Sequence, residues 1–158
     1  MNLYHGFKTS EDINEEHNVV LSVDDLAMYI ELALTRSKET RDVLNCMEYI
    51  PYGSSEDETL DVYPSNSMNS PVVVFIHGGY WKSLSNKDFS YVTKELVQRG
   101  FTVVLTNYSL CPKVSIPEIT KLNCIAKEWT YNNSHKFNGA YAELELVEGK
   151  GKLTQWLS

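Results

Sequence analysis

One run of five apolar residues, Val72-Val73-Val74-Phe75-Ile76, opened by Pro71 and closed by His77-Gly78-Gly79, constrains this chain more than any other feature. β-Branched and aromatic residues without polar alternation fit a strand covered on both faces, as in a parallel sheet flanked by helices. The next stretch, about 86–99, carries Phe89, Val92, Leu96 and Val97 at helical spacing and stops at Gly100. Phe101-Thr102-Val103-Val104-Leu105 repeats the buried-strand signature and ends in Asn107-Tyr108-Ser109-Leu110-Cys111-Pro112. Pro117 opens another helical segment with Ile119, Leu122, Ile125, Ala126 and Trp129 expected inward, running out near Asn132-Asn133. Strand, helix, strand, helix with buried strands predicts a right-handed parallel α/β core.

Upstream the pattern is less regular. Residues 1–20 are polar and read as a loosely held arm. Ser22 reads as an N-cap with Asp24 and Asp25 in the first turn, where the helix dipole favours carboxylates. Val23, Leu26, Ala27, Ile30, Ala33 and Leu34 then predict an amphipathic helix over about 22–40. Leu44–Tyr49 reads as a strand closed by Pro51-Tyr52-Gly53, and Thr59–Tyr63 as a second strand ended by Pro64.

The 158 residues fit one domain, and a 42% hydrophobic content is enough to fill a core. No apolar run approaches the ~18–20 residues of a membrane helix, and the acidic start is unlike a signal or mitochondrial presequence. The net charge of −7 divides into −10 over residues 1–70 and +3 over residues 71–158. An acidic front half with no basic stripe behind it argues against nucleic acid or an anionic membrane as partner. Cys46, Cys111 and Cys124 read as reduced thiols of a cytoplasmic protein, with Cys124 packed in the core. His5, His17, His77 and His135 lie far apart, so no metal-ligand cluster is expected.

His77-Gly78-Gly79 is where chemistry enters. Successive glycines let the backbone take positive φ and approach a ligand, so that their N–H groups can face a developing oxyanion. The plain alternative is a tight strand-to-helix turn with no ligand. The surrounding order favours the first reading: buried strand, His-Gly-Gly-Tyr-Trp, helix, buried strand. An HGG-type oxyanion motif follows the third strand of α/β-hydrolases. His77 itself reads as a buried residue tying the loop by hydrogen bonds, because in that fold the catalytic base comes last in chain order.

With Leu60-Asp61-Val62-Tyr63-Pro64, the HGGYW string at 77–81 and Tyr108-Ser109-Leu110-Cys111-Pro112 in place, the chain resembles the front half of an α/β-hydrolase. It is most similar to the kynurenine formamidase (arylformamidase) group within the carboxylesterase and lipase-like families. The resemblance spans about residues 44–139. It implies hydrolysis of N-formylkynurenine to kynurenine and formate, a step of tryptophan breakdown, with a small formamide or ester as substrate and neither metal nor organic cofactor. It also implies an oxyanion hole at Gly78 and Gly79, with Tyr80 and Trp81 lining the acyl and aryl pocket and His77 a structural member of the motif.

The nucleophile of that fold sits in a G-x-S-x-G elbow after the fifth strand, which two further β-α units of roughly 30 residues each place near 140–150. The residues there are Gly139-Ala140-Tyr141-Ala142-Glu143-Leu144-Glu145-Leu146-Val147-Glu148-Gly149, and no serine occurs between Ser134 and Ser158. No catalytic nucleophile, acid or base is therefore assigned. The expected organisation is an arm and helix at 1–43, the front half of a truncated α/β-hydrolase fold at 44–139, and a divergent tail at 140–158. Three function classes follow: a formamidase or esterase lineage; a catalytically silent truncated product that acts by binding; and a nucleotide- or flavin-binding α/β protein, for which no G-x-G-x-x-G or Walker loop speaks. Without a family-like fifth strand, Val72–Ile76 is expected at a sheet edge, inviting self-association. Tyr141–Val147 is left open between a strand covering that edge and a frayed helix.

Overall fold

A computed structural model describes residues 25–148, with the backbone alone over 141–148, together with Thr9, Glu11 and Asp12. The expected cap at Ser22, with Val23 and Asp24, falls outside the described residues. The chain divides into two compact units, Met1–Leu32 and Ala33–Ser158.

Helix α1 (Leu26–Val43) begins in the first unit and has its residues from Ala33 on in the second; it starts later than expected, and Asp25 lies outside its first turn. Asp25 Oδ1 accepts the Met28 N–H at 3.2 Å, so the carboxylate acts from just ahead of the helix. The apolar spacing misidentifies the buried face of α1: Ala27, Ile30 and Leu34 are exposed, whereas Ser37 and Thr40 are buried. In the second unit the cause is polar docking. Ser37 Oγ donates to the Asp88 carbonyl at 2.8 Å, and Arg41 Nη1 donates to the Lys87 carbonyl and to Ser90 Oγ.

The second unit is built on five strands: β1 (Met47–Pro51), β2 (Thr59–Tyr63), β3 (Ser70–Ile76), β4 (Thr102–Thr106) and β5 (Gly139–Glu148). Their order is β1-β2-β4-β3-β5. β1 starts three residues later and ends two residues later than the expected Leu44–Tyr49, taking in Pro51 from the expected turn; β2 coincides with its expected range. The sheet is mixed: β1–β2 and β2–β4 pair antiparallel, β3–β4 and β3–β5 parallel. The expected edge at Val72–Ile76 does not occur. β5 pairs with β3 in register from Val72 opposite Leu144 to Ile76 opposite Glu148, so the strand reading of Tyr141–Val147 holds and the helix reading does not.

The segment between β3 and β4 is a 3-10 turn at Asn86–Val92 followed by the short helix α2 (Thr93–Gln98), rather than one helix. Gly100, at φ +93°, ends it in the conformation that favours glycine. Helix α3 (Ile116–Asn133) links β4 to β5 and opens on a capping box of Ser115 and Glu118.

Right-handed crossovers that travel in opposite directions place their helices on opposite faces of the sheet, and the packing shows this. On one face Val72, Val74, Val104, Leu60 and Val62 meet Ala126, Phe137 and Trp129. On the other Phe75, Val103, Leu105 and Tyr63 meet Phe89, Val92, Leu96 and Val97. Full burial of each such side chain contributes about 1.5–3 kcal/mol, which accounts for uninterrupted apolar runs in β3 and β4. Ile119 and Ala126 are buried as expected, while Ile125 and Cys124 are exposed. Cys124 is therefore not a core residue. Among the described residues, no helix is long and apolar enough to cross a membrane.

Candidate active site

The loops leaving the carboxyl ends of β3 and β4 lie side by side, where open α/β sheets bind their ligands. Two hydrogen bonds join them. Cys111 N–H donates to the Trp81 carbonyl at 2.8 Å, and Tyr108 O–H donates to the His77 carbonyl at 2.7 Å.

His77 is buried, with its ring stacked on Tyr108 at 4.3 Å between centroids and 7° between planes. Its Nδ1 lies 2.7 Å from the Gly78 carbonyl oxygen. A carbonyl only accepts, so Nδ1 carries the proton, and buried Nε2 has no hydrogen-bond partner among the described residues. Burial pushes the imidazole below its ordinary range, against the upward pull of the Gly78 carbonyl and of Asp88. The folded state thus holds His77 neutral, while the unfolded chain takes up a proton near pH 6.5. Stability from this group is complete above that pH and is lost as pH falls through the folded value. In urea unfolding at pH 7.5 and 5.5, His77→Asn is expected to lose less stability on acidification than the unaltered chain. An equal loss in both would show that His77 does not titrate with unfolding.

Gly79 takes φ +120°. The sequence suggests that its missing side chain makes room for a ligand. The chain itself needs that room, because a Cβ at Gly79 would lie 1.9 Å from the Ser83 carbonyl oxygen. The Gly79 carbonyl accepts from Lys82 N–H and Ser83 N–H, both at 3.1 Å, and from Ser83 Oγ at 3.0 Å. The N–H groups of Gly78, Gly79 and Tyr80 donate to no partner among the described residues. Positive φ belongs to Gly79, Tyr80 and Trp81, not to Gly78.

Tyr80 is exposed and Trp81 half-buried, their rings 5.4 Å apart. Trp81 packs against the cluster of Ile76, Tyr108 and Ile119. A cavity of about 320 Å³ opens along the β4 loop, lined among others by Leu84, Ser85, Tyr108, Pro112, Asp57 and Lys113; neither Tyr80 nor Trp81 lines it. At its rim Asp57 Oδ2 accepts from Ser109 Oγ at 2.7 Å and from Lys113 Nζ at 2.6 Å. These two bonds, Lys113 first, hold the Asp57 carboxyl below its usual range. Tyr108, Ser83 and Asp57 carry no role in the sequence reading, because each acts through a contact between segments.

The fold also assembles Cys46, Glu48 and Asp61 within 4.8 Å of one another, a grouping that separated histidines gave no reason to expect. Lys87 Nζ occupies the place a cation would take, 2.9 Å from Glu48 and 2.8 Å from Asp61 Oδ2. Both contacts have ion-pair distance, but neither has a hydrogen-bonding angle. Burial pushes the Cys46 thiol up to about 12, so it offers no thiolate. The cluster is a structural ion group already holding its own lysine cation, and it does not fit a metal.

Residues 60–148 match the family model BD-FAE. The chain is similar to kynurenine formamidase of Danio rerio, 36% identical over 96 residues, covering 59% of this chain and 33% of that protein. It is also similar to kynurenine formamidase of Salmo salar, 35% identical over 96 residues with the same coverage. The matched part thus spans about a third of the length of these curated relatives. Among solved structures, a protein described as a thioesterase from Silicibacter sp. tm1040 superposes with a TM-score of 0.72 at 22% identity, over 80% of this chain and 47% of that one. Esterase B of Lactobacillus rhamnosis does so with a TM-score of 0.63 at 19% identity, over 77% and 43%. The strand order, the loop after β3 and these likenesses agree on part of an α/β-hydrolase fold of the formamidase and esterase kind, and the chain belongs to the BD-FAE family.

Proposed function

We propose that Gly78 and Gly79 form the oxyanion-binding half of a hydrolase site acting on a small formamide or ester, with N-formylkynurenine, cleaved to kynurenine and formate, as the substrate the relatives suggest. One observation carries this reading. Successive N–H groups at the carboxyl end of β3 have no partner among the described residues, while the carbonyls of His77, Gly78 and Gly79 are all engaged. Donors held free in this way stabilise the negative oxygen that develops when a nucleophile attacks a carbonyl. His77 acts in the motif through its ring bond to the Gly78 carbonyl and not as the catalytic base. Trp81 supports the loop from the cluster around Ile76, and Tyr80, exposed beside it, is the residue left to meet an aryl group. We place the protein in the cytosol, a reading supported by free thiols at Cys46, Cys111 and Cys124.

In the 158-residue chain the nucleophile is the part without a candidate, since the sequence around β5 offers no serine elbow. The second reading, a catalytically silent product that binds through the same loop, is favoured by that feature. Both readings require the amides to take an anion. In a proton–nitrogen NMR titration with sodium formate against sodium chloride of equal ionic strength, the Gly78 and Gly79 amide protons are expected to move downfield. Glycine amides indifferent to formate would remove the oxyanion assignment.

A further inference from the structure

We propose that Tyr108 is a positioning residue for this site: its hydroxyl, by holding the His77 carbonyl, aims the Gly78 N–H at the oxyanion. The inference rests on the oxyanion reading above and adds a residue to it from the neighbouring loop.

The argument is one of peptide geometry. The peptide groups of this loop are trans, and a trans peptide plane points its C=O and N–H in opposite directions. Whatever grips the carbonyl of one residue therefore sets where the next residue's N–H points. Tyr108 O–H reaches the His77 carbonyl at 2.7 Å, so the Gly78 N–H is turned away from Tyr108. The grip is stiff. Tyr108 is buried in a cluster with Ile76 and Ile119, and its ring lies parallel to the His77 ring. A tyrosine in that position can swing its hydroxyl only by breaking the stack and the cluster together.

The next plane has a different anchor. The Gly78 carbonyl is held by Nδ1 of His77, and this sets the Gly79 N–H. The plane after it is held by the Lys82 and Ser83 amides on the Gly79 carbonyl. Each donor of the site thus has its own holder, and Tyr108 is the one that comes from another loop, the one after β4, 31 residues away. Parallel pairing of β3 with β4, Ile76 opposite Thr106, brings it there.

Separate anchors give separate signatures. Tyr108→Phe keeps the ring and its stacking and removes the hydroxyl alone. At saturating formate the downfield shift of its Gly78 amide proton is expected to be largely lost, because an N–H no longer aimed at the anion makes a poorer hydrogen bond, while the Gly79 response stays as in the unaltered chain. A Gly78 response equal to that of the unaltered chain overturns the proposal and leaves the oxyanion reading standing. An equal weakening at both glycines also overturns it, since general loosening would explain that result. No response in the unaltered chain removes the oxyanion reading and this proposal together. Should Tyr108→Phe fail to fold, the unaltered chain decides through the protection of the Tyr108 hydroxyl proton from exchange with water, read by proton NMR. The protection is expected to be present and to persist with formate bound. Its absence, or its loss on adding formate, would show that Tyr108 does not hold the plane while the site is in use.

Discussion

Purified and assayed with a formylated aromatic amine or with p-nitrophenyl acetate, the 158-residue chain is expected to show no turnover above background. An oxyanion hole stabilises charge only once a nucleophile has attacked, and in a triad hydrolase loss of the serine alone costs on the order of 10⁶ in turnover. No serine lies between Ser134 and Ser158, where β5 and the residues after it run. The serines near the loop are engaged elsewhere. Ser83 donates to the Gly79 carbonyl, Ser85 to Asp88, and buried Ser109 to Asp57. Turnover above about 1 s⁻¹, an ordinary enzyme rate, would overturn this expectation and require a nucleophile outside the family pattern.

What the sequence makes legible follows from the range of the interaction behind each feature. β3 and β4 are readable because burial on both faces imposes consecutive apolar residues, Val72–Ile76 and Val103–Leu105, a local signature of a tertiary fact. The docking face of α1 is unreadable because polar contacts set it. Ser37 meets Asp88 across 51 residues and Arg41 meets Ser90 across 49, and no helical spacing encodes such partners. β5 is ambiguous for a related reason. Ala142, Leu144 and Leu146 alternate with Tyr141, Glu143 and Glu145, which looks wrong for a strand covered on both faces. Among the described residues β5 pairs with β3 alone, and a strand at the margin of a sheet tolerates that alternation.

The site divides in the same way. The His-Gly-Gly string announces itself, because only glycine offers a backbone free of Cβ. Its supports do not: Tyr108 joins through strand pairing, and Ser83 through a turn that folds back on Gly79. The motif is local while its rigidity is not. A close copy of His-Gly-Gly-Tyr-Trp on another scaffold would therefore reproduce the letters without holding the amides in place.

Gly79→Ala is expected to destabilise the fold by on the order of 3 kcal/mol, moving a urea midpoint by about 1 M or more. Two effects add. At φ +120° any side chain is strained, which costs about 1–3 kcal/mol by itself. The new Cβ would also sit 1.9 Å from the Ser83 carbonyl oxygen and 2.9 Å from its carbon. That carbonyl is backbone and cannot rotate aside, since the Ser83 N–H and hydroxyl both bind the Gly79 carbonyl in the same turn. Gly100 supplies the control that separates the two effects. It takes φ +93° with nothing within 4 Å of a built Cβ, so Gly100→Ala meets backbone strain alone and is expected to cost about 1 kcal/mol. The difference between the two variants measures the clash. Equal losses would mean that the turn at 79–83 yields freely and does not hold the loop. A larger loss at Gly79, with its amide response to formate gone even in the fraction that remains folded, would show that one backbone contact both stabilises the turn and sets the donors.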